Sequence, residues 1–159
     1  MNPLKLLKLK PTSIQFIQEI PINAPPQKAW NALINFRGWF HFDHGPSQFA
    51  KVSLEPHIGG KFVSQSREQD VFMLHGIVAH WEPGKLLRIN GPMGMTHLPV
   101  SNTMIWELQP QKGGKATLLR FCQRAYGLMP PDAQKNYQKG WKQLLPHIKE
   151  LAEKSGKKK

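Results

Sequence analysis

Cysteine is nearly absent from this chain. A single thiol, Cys122, among 159 residues excludes a disulfide within the chain and gives no sign of an oxidising compartment. The expected setting is therefore the cytoplasm. Acidic residues are also scarce, 10 against 22 lysines and arginines, for a formal net charge of +12. No stretch approaches the roughly 20 apolar residues of a membrane-spanning helix, so no transmembrane segment is expected. Met1 to Lys10, "MNPLKLLKLK", is interrupted by Lys5, Lys8 and Lys10. It lacks the apolar centre of about 7 to 15 residues that a secretory signal needs.

The positive charge suggests nucleic acid, because clustered cations bind phosphates by releasing counterions. Its placement argues otherwise. Lys5, Lys8 and Lys10 lie near one end and Lys154, Lys157, Lys158 and Lys159 near the other, with no acidic residue among residues 1–10 or 154–159. Basic ends of this kind solubilise, and no RNA- or DNA-binding motif accompanies them, so no specific nucleic-acid partner is expected. The chain reads as a basic extension over residues 1–12, one domain over 13–154 and a lysine-rich tail over 155–159.

Within the domain, "SIQFIQEI" (Ser13 to Ile20) alternates as a half-buried strand does, and Pro21 is expected to end it. Ala29, Trp30, Leu33 and Ile34 then share one face of a short helix launched by Pro25-Pro26. Six strand-like runs follow: Phe49 to Leu54, Lys61 to Ser66, Val71 to Trp81, Lys85 to Asn90, Thr103 to Gln109 and Lys115 to Gln123. Their short glycine- and proline-containing links favour antiparallel neighbours. From Asp132 onward, Ala133, Tyr137, Trp141, Leu144, Leu145, Ile148, Leu151 and Ala152 recur at helical spacing. This predicts a long amphipathic C-terminal helix, with Pro146 expected to kink it. The order of elements is that of an α+β domain with helices on one side of an antiparallel sheet.

Several segments carry a family resemblance. "IPINAPPQKAWNAL" (Ile20 to Leu33), "PHIGGKF" (Pro56 to Phe62), "GIVAHWEPGKLLRI" (Gly76 to Ile89), "WELQPQKGGKATLLRF" (Trp106 to Phe121) and "GWKQLLPHI" (Gly140 to Ile148) occur in the order seen in SRPBCC proteins. This is the START-related helix-grip superfamily, with polyketide cyclase-like members. The chain most closely resembles its branch similar to the activator of the heat-shock-protein-90 ATPase, over about residues 13 to 153. The resemblance implies a helix-grip fold, a curved antiparallel sheet of about six or seven strands around the long C-terminal helix. It also implies a central cavity for an apolar or amphipathic molecule, and no universal catalytic motif. One scaffold hosts many activities, so the resemblance speaks for fold more than for function. It further implies that Thr117, Leu119, Phe121 and Gln123 face inward, which turns Cys122 away.

The chain departs from the family pattern at "INGPMGMTHLPVSN", Ile89 to Asn102. Met93 and Met95 there form either a mobile mouth of the cavity or a plug at the end of the core; methionine suits both roles. "GWFHFDHGP" (Gly38 to Pro46) is expected to cap the cavity with Trp39 and Phe40 inward. His41, Asp43 and His44, even with His57, make a poor zinc set without a thiolate or a His-Glu-x-x-His pair. Neither a metal nor a cofactor is expected. His75, His80, Glu107 and Asp43 are the candidates for acid–base work. A histidine on an apolar face is more often a satisfied core residue, and both faces of the run Val71 to Trp81 are apolar enough to leave its orientation open.

The ligand-binding set read from the sequence is therefore Trp39, Phe40, Phe62, Met93, Met95, Met104, Trp106, Leu119, Phe121, Tyr126, Trp141 and Leu144, with no catalytic residue and no metal ligand. The expected function is binding of a hydrophobic or amphipathic small molecule. The alternatives are a cyclase- or dehydratase-like enzyme using a pocket histidine, and a co-chaperone-like module for a protein partner.

Overall fold

The structure, a computed structural model, describes residues 3–41, 49–66 and 72–154. A short helix, α1 (Pro3–Leu6), precedes β1 (Lys10–Ile22), α2 (Pro26–Ile34) and α3 (Phe36–Trp39). Then come β2 (Phe49–Leu54), β3 (Lys61–Ser66), β4 (Phe72–Glu82), β5 (Leu86–Asn90), β6 (Val100–Gln111), β7 (Ala116–Met129) and α4 (Ala133–Lys154). The seven strands form one curved antiparallel sheet in the order β1-β7-β6-β5-β4-β3-β2, and α4 lies across its inner face. Consecutive hairpins from β2 to β7 build all of it except β1, which reaches across to pair with β7. This is the helix-grip arrangement.

β1 continues through Pro21 to Ile22 and starts at Lys10, with Lys10 opposite Met129. Pro21 does not end the strand because β1 is an edge, where a residue without an N–H removes no ladder bond. β6 and β7 also extend past their alternating cores, pairing Val100 with Gly127 at one end and Gln111 with Ala116 at the other. α4 is continuous through Pro146.

β4 explains why its alternation is ambiguous. Opposite β3 the register shifts between Phe62 and Val63, which pair with Gly76 and Leu74, so His75 is the extra residue of a β-bulge. A second shift opposite β5 leaves Ala79 extra, between Val78 and His80. Each bulge swaps the inward parity: His75 is buried at the first, Val78 after it, and Trp81 packs against Trp30 at 5.0 Å beyond the second. Gly76 lies where a Cβ would come within 2.4 Å of Ile89 Cγ2, and a Cβ on Gly91 would come within 2.2 Å of Gly76 Cα. The two glycines let the backbones meet at the root of the segment that follows β5.

The space between sheet and helix is filled by rings. Phe36, Trp39, Phe62, Trp106, Phe121 and Trp141 are buried and touch one another, with centroid separations from 4.3 Å for Phe121–Trp141 to 6.5 Å for Trp39–Trp106. Edge-on pairs of this kind add to the area they bury. Trp106 Nε1, in the middle of this cluster, has no hydrogen-bond partner among the described residues. The centre of the grip is thus a packed aromatic core, and the hollow lies beside it.

Candidate functional site

That hollow opens at one end of α4, a cavity of about 250 Å³. Trp141 and Leu144 of α4 and Phe40 after α3 make its apolar floor, and His75 of β4 stands on its wall. Met93 and Gly94 form one lip; Asn136, Tyr137 and Gly140 form the other.

The lip is pinned from both sides. Met93 takes the left-handed backbone region at φ 41°, unusual for a residue with a side chain. Its N–H donates to the His75 carbonyl at 3.0 Å, and its own carbonyl accepts from the Tyr137 hydroxyl at 2.5 Å. The lip is therefore tied to β4 at one end and α4 at the other. Burial of Tyr137 pushes its phenol up to about 12, so it stays a donor throughout the neutral range.

His75 is 3% exposed, and its Nε2 lies 2.8 Å from Ser64 Oγ, which is also buried. Desolvation holds the imidazole down at about 4, so it is neutral at pH 7. Phe62 and Phe40 flank the ring at 4.7 and 6.1 Å. His75, the extra residue of the bulge, and Val78 beyond it both face inward; an unbulged strand would turn one of the two outward.

Of the twelve residues read from the sequence, Phe40, Met93, Trp141 and Leu144 line this cavity. Trp39, Phe62, Met104, Trp106, Leu119 and Phe121 are fully buried in the core beneath or beside it, and Met95 is buried in the lip segment. Tyr126 needs correction: it sits in β7 between the inward Ala125 and Gly127 and is 69% exposed, because strand parity sends it to the outer face. The reading missed Tyr137 as a wall residue and left His75 out of the ligand set. Tyr137 stood on the apolar stripe of α4, but nothing local marks its reach to Met93, 44 residues away.

The other chemical candidates lie elsewhere. His80 is exposed, 3.5 Å from Glu82, and Glu107 faces Arg120 on the outer side of the sheet. His57 pairs with Glu55 at the surface. His41 stacks on His147 at 4.4 Å, and His147 Nδ1 donates to the Trp39 carbonyl. Asp43 and His44 lie outside the described residues. Among the described residues no group of three or more histidine, cysteine or acidic side chains is placed to hold a metal. Cys122 is half-buried on the outer face, between Ile17 and Ile105. No helix of the described residues is long and apolar enough to cross a membrane. A larger concavity of about 610 Å³ lies between the start of α2 and the end of α4, but Lys28, Glu150, Glu153 and Lys154 line it. Solvated charges suit an apolar ligand less well than the carbon-walled cavity does.

The sequence profile described as "Activator of Hsp90 ATPase homolog 1-like protein" matches residues 23–153. No curated protein matches the chain by sequence. Among solved structures, a protein of unknown function from Staphylococcus aureus superposes with a TM-score of 0.70 at 13% identity, covering 94% of this chain and 99% of the other. A norcoclaurine synthase point mutant from Thalictrum flavum, in complex with a transition-state analogue, gives 0.61 at 11% identity over 94% and 99%. The di-domain ARO/CYC protein StfQ of the steffimycin biosynthetic pathway gives 0.63 at 13% identity, over 96% of this chain and 54% of the other. At these identities the likeness is one of fold.

Proposed function

The chain belongs to the family of Activator of Hsp90 ATPase homolog 1-like proteins, and from that premise we propose that it binds a hydrophobic or amphipathic small molecule in the cavity between the sheet and α4. One observation carries the proposal. The cavity is walled by Phe40, Trp141, Leu144 and Met93, with His75 of β4 and Tyr137 of α4 as polar groups on its wall. Apolar lining with a few placed polar groups is what small-molecule sites use. The lone half-buried thiol suits a cytoplasmic setting.

A ligand that binds only the folded state stabilises it. At a hundred times its dissociation constant it adds about 2.7 kcal/mol, several degrees of melting temperature for a domain of this size. A thermal-shift screen of apolar compounds should therefore yield hits that also alter tryptophan emission, because Trp141 is part of the floor. Leu144→Trp should fill the space and abolish both responses while the protein stays folded. Hits whose shifts survive that substitution would place binding elsewhere.

A second reading, a cyclase- or dehydratase-like enzyme, is favoured by His75 on the cavity wall and by two structural neighbours of similar fold, one named a synthase and one a di-domain ARO/CYC protein. Mass spectrometry of the bound compound separates the readings: a carrier returns it unchanged, an enzyme does not. The family's name also speaks for a protein partner. Capture of a chaperone by a protein that responds to no small molecule would favour that role.

A further inference from the structure

One row of paired residues, Gln15, Arg124, Thr103, Asn90 and Ile77, crosses the sheet from β1 to β4. The cavity lies on one side of that row, together with the start of β1, the end of β7, the start of β4 and the first turns of α4. Among the described residues, five of the seven large apolar side chains that stand exposed belong to the same side: Leu4, Leu7, Phe72, Leu74 and Tyr126. The exposed apolar surface is therefore gathered at the mouth of the cavity.

The segment before β1 sorts its residues by spacing. Leu6 and Leu9, three apart, are half-buried, and the Leu9 N–H donates to the Leu6 carbonyl at 3.2 Å. Leu4 and Leu7, also three apart, are 67% and 82% exposed, with Lys5, Lys8 and Lys10 exposed among them. One leucine pair is partly covered; the other is presented outward beside cations. Arg124, Lys135 and Lys139 are further exposed cations at this end, against one exposed acid, Asp132, between residues 124 and 139. Nucleic acid would use the lysines and leave the leucines in water. A membrane interface uses both, taking leucine into the boundary of headgroups and acyl chains while lysine meets anionic headgroups.

We propose that this end of the domain docks on an anionic lipid surface. Leu4 and Leu7 insert, Lys5, Lys8 and Lys10 meet the headgroups, and Tyr126 lies at the water boundary where amphipathic rings collect, so that the cavity mouth is turned to the bilayer. The docking needs no ligand and stands apart from the cavity reading.

Vesicles of phosphatidylcholine alone, or with about one-third phosphatidylserine, test this by co-sedimentation with the full chain at about 0.1 M and 0.5 M salt. At the lower salt the chain should bind the anionic vesicles at least about 30-fold more strongly than the neutral ones, and most of that margin should vanish at the higher salt. Replacing Lys5, Lys8 and Lys10 together by glutamine should weaken binding about 100-fold, at roughly 5-fold for each lysine near such a surface. Leu4→Ser with Leu7→Ser should weaken it about 10-fold or more, and Tyr126→Ser about 2- to 3-fold. All six side chains are exposed, so thermal unfolding should not change. A parent chain that ignores the anionic vesicles, or binds both kinds alike at either salt, overturns the proposal whatever the variants do. Full binding by the leucine variant would make the segment a polyanion patch of the kind nucleic acid meets and overturn the lipid assignment. Full binding by Tyr126→Ser would overturn the placement of the mouth against the bilayer. Failure of every small molecule to bind sinks the cavity reading alone and leaves the vesicle result to decide the docking.

Discussion

The indole N–H of Trp141 donates to Oε1 of Gln123 at 2.8 Å, and this bond is the first of a buried series. Gln123 Nε2 donates in turn to Asn102 Oδ1 at 3.1 Å, and Asn102 Nδ2 donates to the Gly91 carbonyl at 2.9 Å. The series runs from α4 through β7 and β6 to the root of the cavity lip. It connects the floor of the cavity to its rim through residues that are all within 4% of full burial or part of a close backbone contact. Buried polar groups of this kind are tolerable only when each is satisfied, which makes the middle member the sensitive one.

Gln123→Leu should therefore destabilise the fold by about 2 to 6 kcal/mol, because it strands both the Trp141 N–H and the Asn102 carbonyl oxygen at roughly 1 to 3 kcal/mol each. Urea denaturation measures it. A loss below about 1 kcal/mol would mean that neither group depends on Gln123.

Trp141→Ala removes a side chain that is 2% exposed and touches Phe121, Trp106, Trp39 and Phe40. The expected cost is about 3 to 5 kcal/mol from lost burial and the space left behind. The same denaturation experiment reads it, and a value near zero would contradict the packing.

His75 predicts a pH dependence with a definite sign. Its folded pKa, about 4, lies below the ordinary 6.5, so between those values the unfolded chain binds the extra proton. The stability attributable to the neutral buried ring is complete above about pH 6.5 and is lost as pH falls toward 4, amounting to about 3 kcal/mol. Stability curves of the parent and His75→Phe at pH 7.5 and 4.5 should differ in slope, with the variant flatter. Parallel curves would place the imidazole in water.

Tyr137→Phe deletes the hydroxyl that holds the Met93 carbonyl and should cost about 1 kcal/mol. Its sharper signature is local. Amide exchange of Met93 and Met95 should quicken while that of β6 and β7 is unchanged, since Met93 loses its tie to α4 and keeps the one to the His75 carbonyl. Uniform acceleration across the sheet would show that the tyrosine supports the whole fold and not the lip.

Much of this was readable along the chain. The stripe from Ala133 to Ala152 announced α4, and the alternation in Lys61 to Ser66 gave the bounds of β3 as they stand. Inward positions in β7 were also legible, Leu119 and Phe121 being fully buried. Tyr126 was not, because an aromatic side chain near a pocket-forming segment looks alike on either face until the register of the paired strands is known.

By itself the sequence determined the α+β order, the antiparallel links, the apolar face of α4 and the family to which these segments belong, since each is written in local periodicity or in contiguous motifs. Only the tertiary structure decided that the middle of the grip is packed solid and the cavity displaced to the end of α4, because that depends on the summed volumes of rings drawn from α3, β3, β6, β7 and α4. It likewise decided that His75 faces the cavity. The bulge that turns it inward is a mismatch of register between two strands, and no single strand carries that information.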